Sequence, residues 1–213
     1  MDPISIIIYI AILLFSVIFH EVAHGLMAEK LGDPTARYAG RLTLNPIPHI
    51  DLFGSILLPA FLLLVNSPIL FGAAKPVPVD YNNLRNLKWG VLLVSFAGPF
   101  TNFILATLAA AVYRLAPDIS TMGQSLLIQT ILLNLTLGLF NLIPIPPLDG
   151  SKILASLFGF LSSSWMYSML QLERYGFIIL ILFLYTGLIH AVLLPPLVFL
   201  FQFLVGIDPL FGR

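Results

Sequence analysis

His20, Glu21 and His24 carry the chemistry most easily read from this chain. Two histidines four positions apart project from one face of a helix, where their ring nitrogens can grip a single zinc ion. Glu21, beside the first of them, can take a proton from a water held at that ion. The setting is unusual. Ile4–Ile18 contains no acidic or basic side chain, and the three polar residues follow it without a break. A helix this apolar belongs in a bilayer, where ionisable groups are costly and usually functional. Chance polar residues in a span are the bland alternative, and that cost argues against it.

The rest of the chain supports a membrane setting. Hydrophobic residues make up 59% and charged residues 9%, with a mean hydropathy of +0.99. Soluble domains carry about 25% charged residues, so this chain cannot cover a globular surface with polar groups. The formal net charge is zero, and no basic stripe points to nucleic acid. There is no cysteine, which excludes disulfides and thiolate ligands. Any zinc must therefore be held by nitrogen and oxygen. The start, Met1-Asp2-Pro3, has no basic segment of the signal-peptide kind, so the first helix is expected to stay in the mature protein.

The elements that must position the site follow from the apolar runs. A first span is expected from about Ile4 to Leu31, stopped by Gly32, Asp33 and Pro34. A polar, strand-like stretch runs from Tyr38 to about Asp51. Ile56–Phe71 is apolar but short, and Lys75–Val79 reads as extended. Further spans are expected at Trp89–Leu115 and Ser125–Ile143. An interfacial helix falls within Ser151–Arg174, and a last apolar block from Phe177 is interrupted by Pro195-Pro196. No repeat divides the chain. The expected fold is a polytopic α-helical membrane protein, a single domain over 1–213. Its three-helix catalytic core covers about 4–152, with a re-entrant or β segment, and C-terminal helices follow over about 153–213.

Basic residues give the spans a direction. Lys30, Arg37 and Arg41 follow the first span, Lys75, Arg85 and Lys88 precede the second, and Lys152 and Arg174 follow the third. The positive-inside tendency puts all three regions on the cytoplasmic side and the N-terminus outside. An even number of crossings must then separate Arg41 from Lys75. Ile56–Phe71 is too short for two crossings, so it is expected to dip in and return as a re-entrant hairpin; a simple span is the rival reading. Non-helical backbone at that depth must be buried in protein or line a wet cavity.

Catalytic zinc usually takes three protein ligands and water, so two histidines leave one ligand to find. Asp149 is the strongest candidate and Asp51 the next. Asp149 follows a span that runs toward the cytoplasmic side. At ~1.5 Å per residue, the imidazoles lie about 10–16 Å from the cytoplasmic end of their helix. A bend at Pro144, Pro146 and Pro147 can return Asp149 to that depth, with Gly150 open to backbone conformations closed to other residues.

With these residues in hand, the chain resembles the site-2 proteases, the intramembrane zinc metalloproteases of peptidase family M50. Phe19 to Gly25 matches the first motif of that family. Ala97-Gly98-Pro99-Phe100-Thr101-Asn102 resembles the small-residue motif of its central helix. Phe140-Asn141-Leu142-Ile143-Pro144 followed by Leu148-Asp149-Gly150 matches its Asn-Pro and Asp-Gly motif. The resemblance covers Ile4–Lys152 well and the C-terminal quarter weakly, as a compact member without a recognisable PDZ or CBS insert. It implies one zinc ion per chain held by His20, His24 and Asp149, with Glu21 as general base and then acid. It implies that Asn141 orients substrate or stabilises the oxyanion. It also implies an endopeptidase of a prokaryotic cell membrane, with its site nearer the cytoplasmic face. Its partners would be the bilayer and the transmembrane segments it cuts in regulated intramembrane proteolysis; a homo-oligomer stays open.

Cleavage needs an extended substrate backbone, and an added strand would satisfy its exposed polar groups. Leu42–Asn45 and Val77–Val79 are the expected contact regions. Several residues have plainer readings. Asp149 can cap a helix, Asn141 can satisfy a bent helix end, and Gly98 with Asn102 suits close helix packing. His49 and Asp51 suit a polar turn, and His190 a structural role. A membrane metal-ion transporter using the same ligands is the competing function. It calls for acidic or histidine groups along a path to the far side, and the second and third spans have none.

Overall fold

The computed structural model describes residues 3–51, 75–116, 118–159 and 171–206, with the single positions 57, 64 and 168. These residues form seven α-helices: α1 Pro3–Lys30, α2 Thr35–Tyr38, α3 Leu87–Leu115, α4 Thr121–Asn141, α5 Asp149–Gly159, α6 Gly176–Tyr185 and α7 Leu188–Val205. Short 3-10 turns lie at Ile47–His49, Tyr81–Asn83 and Leu172–Tyr175. The re-entrant hairpin expected over Ile56–Phe71 lies outside the described residues.

Among the described residues, three helices are long and apolar enough to cross a bilayer, Ile6–Lys30, Leu87–Leu115 and Thr121–Asn141, and the bent pair Ile178–Tyr185 and His190–Val205 makes a fourth if taken as one span. The first three match the expected spans to within a few residues, and their outer faces expose side chains such as Ile7, Leu108 and Leu115. Such a surface suits lipid contact, because helices satisfy their own backbone polar groups.

Local chemistry sets the helix ends. The amide of Asp33 reaches Ala28 O at 2.9 Å and that of Gly32 reaches Glu29 O at 3.1 Å. Gly32 sits at φ +115°, so α1 closes with the paired bonds of a Schellman motif, and Pro34 then bars continuation. Asn86 caps α3 by accepting from Trp89 N at 3.1 Å, and Ser120 caps α4 by accepting from Gly123 N at 3.2 Å.

The third helix is central, packing against α1, α4, α5 and α7. Buried Ala106, Ala109 and Ala110 on α3 meet Ile131 and Leu135 on α4 and Phe201 and Val205 on α7. Small residues let these backbones approach, which is how helices associate when lipid offers no hydrophobic drive. A second cluster joins Ala28 of α1, Val94 of α3 and Leu84 of the segment between them.

Two expectations are corrected. No strand forms over Tyr38–Asp51 among the described residues. Thr43 Oγ1 accepts from Asn45 N at 3.1 Å and Asn45 Oδ1 from Ile47 N at 3.1 Å. These side chains consume amides that a strand would turn outward, and Pro46 and Pro48 have none to offer. The extended Lys75–Val79 segment likewise pairs with no strand among the described residues. In the C-terminal block, Pro195 and Pro196 lie inside α7. The break falls instead at Gly187, whose φ of +71° is left-handed; the flanking helical segments Ile178–Tyr185 and His190–Val205 bend by 79° there. The pair removes two amide donors, and α7 nonetheless runs through it to Val205.

Candidate metal centre

The first helix brings His20 and His24 to one face, their rings edge to face with centroids 4.6 Å apart. Each ring turns its Nδ1 away from the other. His24 Nδ1 donates to Val94 O at 2.7 Å, and His20 Nδ1 lies 2.6 Å from Asn102 Oδ1, both on α3. The two Nε2 atoms then face each other at 3.0 Å. Asp149 Oδ2 lies 3.1 Å from His20 Nε2 and 3.2 Å from His24 Nε2. Asp149, not Asp51, completes the group of possible metal ligands.

The group fits a small cation. With a proton on each Nδ1, the neutral rings present only lone pairs at Nε2. In that tautomer three lone-pair atoms converge, all on residues less than a tenth exposed. A tetrahedral ion with bonds of ~2.0–2.1 Å sets its ligand atoms ~3.3 Å apart, close to the spacing here. Nitrogen and carboxylate oxygen suit zinc.

Close approach of backbone makes room for this geometry. A Cβ on Gly98 would lie 2.4 Å from His24 Nε2 and 2.5 Å from His20 Nε2, so α3 passes the ligands only because residue 98 has no side chain. A Cβ on Gly150 would lie 2.2 Å from Leu142 O. The turn that returns Asp149 thus requires glycine for space. Its φ is not among the positive ones, so the expected conformational reason is replaced by a steric one.

Glu21 follows His20 and accepts from Val77 N at 2.7 Å through Oε2. Both line a cavity of about 260 Å³ with His20, His24, Asp149 and Asn141. Asn141 also donates from Nδ2 to Leu137 O of its own helix at 3.0 Å, so the helix-end role and the cavity position coexist. His49 is fully buried and its Nε2 donates to Thr43 O at 2.9 Å. His190 is exposed on α7. Neither joins the metal group.

Sequence reasoning used Lys152 only to orient the third span and passed over Glu173. Lys152 lies one turn beyond Asp149 and pairs with Glu173 at 3.0 Å on the cavity wall, near Tyr81. Burial alone would lower the Lys152 pKa, but Tyr81, Asp149 and Glu173 together outweigh it and hold the ammonium above the ordinary lysine range. Asn134 and Ser16 were also missed. Both are polar and buried in spans, which was the available signal.

Known proteins bear on this geometry. The profile of peptidase family M50 matches residues 116–184. The chain is 41% identical over 207 residues to a Bacillus subtilis protein named "Putative zinc metalloprotease YwhC", covering 92% of this chain and 88% of that one. It is 29% identical to the Mycolicibacterium smegmatis protein "Putative zinc metalloprotease Rip2", over 84% of this chain and 67% of that one. It is 31% identical to "Zinc metalloprotease MJ0392" of Methanocaldococcus jannaschii, over 72% of this chain but 36% of that longer one. No solved structure gives a match. A buried His20–His24–Asp149 group on apolar spanning helices and an extensive likeness to zinc metalloproteases agree: the chain is a membrane protein belonging to peptidase family M50, the site-2 protease family of zinc metalloproteases.

Proposed function

We propose that this zinc metalloprotease is an intramembrane endopeptidase that hydrolyses peptide bonds in the transmembrane segments of other proteins. The observation that carries the reading is the burial of His20, His24 and Asp149 beside Glu21, with the histidines on a spanning helix. His20, His24 and Asp149 hold one zinc per chain, which when bound supplies Lewis acidity toward water and the scissile carbonyl. Glu21, aligned by Val77 N, takes the proton of the attacking water and passes it to the leaving nitrogen. Asn141 meets the substrate or the charge developing on its carbonyl oxygen. Pro76, Val77 and Val79 line the cavity, where an extended substrate would run.

The whole chain acts as one membrane domain, in a prokaryotic cell membrane, with the site nearer the cytoplasmic face. Its relatives in Bacillus, Mycolicibacterium and Methanocaldococcus support the prokaryotic setting, and the basic residues after α1 and before α3 support the orientation.

The test is zinc content and cleavage of model transmembrane substrates by the detergent-purified protein, with and without Glu21→Gln. One zinc per chain and cleavage abolished by that change are expected. Metal flux that survives Glu21→Gln, with no cleavage, would establish a transporter instead.

A further inference from the structure

We infer that Asn134, which touches neither the metal ligands nor the cavity, sets the protonation pattern of His20 and through it the zinc affinity. Asn134 is a positioning residue acting through Asn102. The inference rests on the reading of His20, His24 and Asp149 as the zinc site.

Each hydrogen-bond assignment forces the next. Asn134 Nδ2 contacts Thr130 O at 2.9 Å and Ser16 Oγ at 2.9 Å. A backbone carbonyl can only accept, so the amide nitrogen of Asn134 must face Thr130 and its oxygen must face away. That oxygen lies 2.9 Å from Asn102 Nδ2. The same Nδ2 lies 3.3 Å from Ser16 O, a second carbonyl that can only accept. Asn102 is therefore held with its nitrogen toward Asn134 and Ser16 and its oxygen toward His20. An oxygen 2.6 Å from His20 Nδ1 requires the proton on Nδ1. The Nε2 lone pair is then left for the metal.

The alternative orientation is expensive. Turning the Asn102 amide over would aim its oxygen at Ser16 O and Asn134 Oδ1, three acceptors together. Asn102 and Asn134 are fully buried and Ser16 is 4% exposed, so no solvent relieves that clash. The relay joins α1, α3 and α4 one turn from the ligands: Ser16 precedes His20 by four positions and Thr130 precedes Asn134 by four. His24 needs no such relay, because Val94 O fixes its Nδ1 proton directly. Groups that orient a ligating histidine are typically worth about 10–100-fold in metal affinity.

The test measures zinc dissociation constants of the full chain in detergent by chelator competition, with the visible spectrum of the cobalt-substituted protein as a second readout. Asn134→Leu should weaken zinc about 10–100-fold and perturb the cobalt spectrum. Asn134→Ser, polar but too short to bridge, should do the same if the leucine variant fails to accumulate. Asn102→Asp presents only acceptor oxygens, so it can keep the His20 bond without help from Asn134, but its second oxygen then faces Asn134 Oδ1 and Ser16 O. In that background Asn134→Leu removes one of the opposed acceptors and should not weaken zinc further. Unchanged zinc affinity in Asn134→Leu and Asn134→Ser overturns the inference. Equal losses in both backgrounds also overturn it, since they would mark a general packing role. Absence of zinc from the unaltered protein would instead overturn the metal-site reading itself.

Discussion

Val77 offers its backbone N–H to Glu21 Oε2 at 2.7 Å, tying the residue proposed as general base to the irregular segment that leads into α3. A carboxylate on a helix beside a cavity has several rotamers, and this bond selects one. Val77→Pro removes the donor while leaving the metal group untouched. It should lower kcat about tenfold or more, given how steeply catalysis depends on alignment, with zinc content unchanged. Glu21→Gln should cost about 10²–10⁴-fold, the usual range for a general acid–base group. Steady-state cleavage of a model transmembrane substrate, alongside metal analysis, checks both.

Gly98→Ala places a methyl carbon within 2.4–2.5 Å of both Nε2 atoms. Rigid neighbours cannot yield that far, since α3 is the central packing element. The variant should fold, keep its helical circular dichroism and fail to retain stoichiometric zinc. Zinc at one per chain in this variant would show that α3 can shift away from α1.

Asp33 predicts a pH dependence. Burial would raise its carboxyl, but Asn83 Nδ2 at 2.9 Å, the Thr35 hydroxyl, Asp80 N at 2.8 Å and Thr35 N at 3.1 Å together hold it below the ordinary aspartate value. A depressed carboxyl stabilises the fold fully above the unfolded value of ~3.9. That contribution is lost as pH falls through the lower folded value. Melting temperature in detergent should therefore decline below about pH 4 and hold from there to neutrality as far as Asp33 decides. Asp33→Ala removes the acceptor these partly exposed donors share and should cost about 0.5–1.5 kcal/mol at neutral pH, with a shallower acid slope. Thermal melts across pH 3–7 would read this out, and an unchanged slope would sink the assignment.

Chelation should remove both activity and stability. An ion that binds only the folded state stabilises by about 4 kcal/mol at a thousandfold over its dissociation constant. Prolonged treatment with a strong zinc chelator should abolish cleavage and lower the melting temperature, and added zinc should restore both. Activity that survives complete metal removal would contradict the zinc mechanism.

The sequence reading was strongest where a long run or a forced choice decided the matter. The spans could be bounded because Gly32-Asp33-Pro34 and the Pro144–Pro147 run leave a helix little choice. Asp149 could be placed beside the histidines because charge asymmetry gave the spans a direction. The strand-like reading of Tyr38–Asp51 failed because alternation says nothing about whether Thr43 and Asn45 will claim neighbouring amides. The break assigned to Pro195-Pro196 failed because α7 runs through both prolines, while the chain turns at Gly187, which is left-handed. The links from Asn134 to Asn102 and from Lys152 to Glu173 depend on how each helix is rotated against its neighbours. In so apolar a chain, hydrophobic periodicity does not set that rotation.

His20 and Asp149 meet although 129 positions separate them. The ligand set stays incomplete until the third spanning helix and the turn after it have emerged and packed. A nascent or truncated chain ending before Asp149 carries the histidines and Glu21 but lacks the carboxylate that closes the group. Zinc retention is therefore expected only once the chain has extended through Asp149 and the turn has brought its carboxylate back to the histidines.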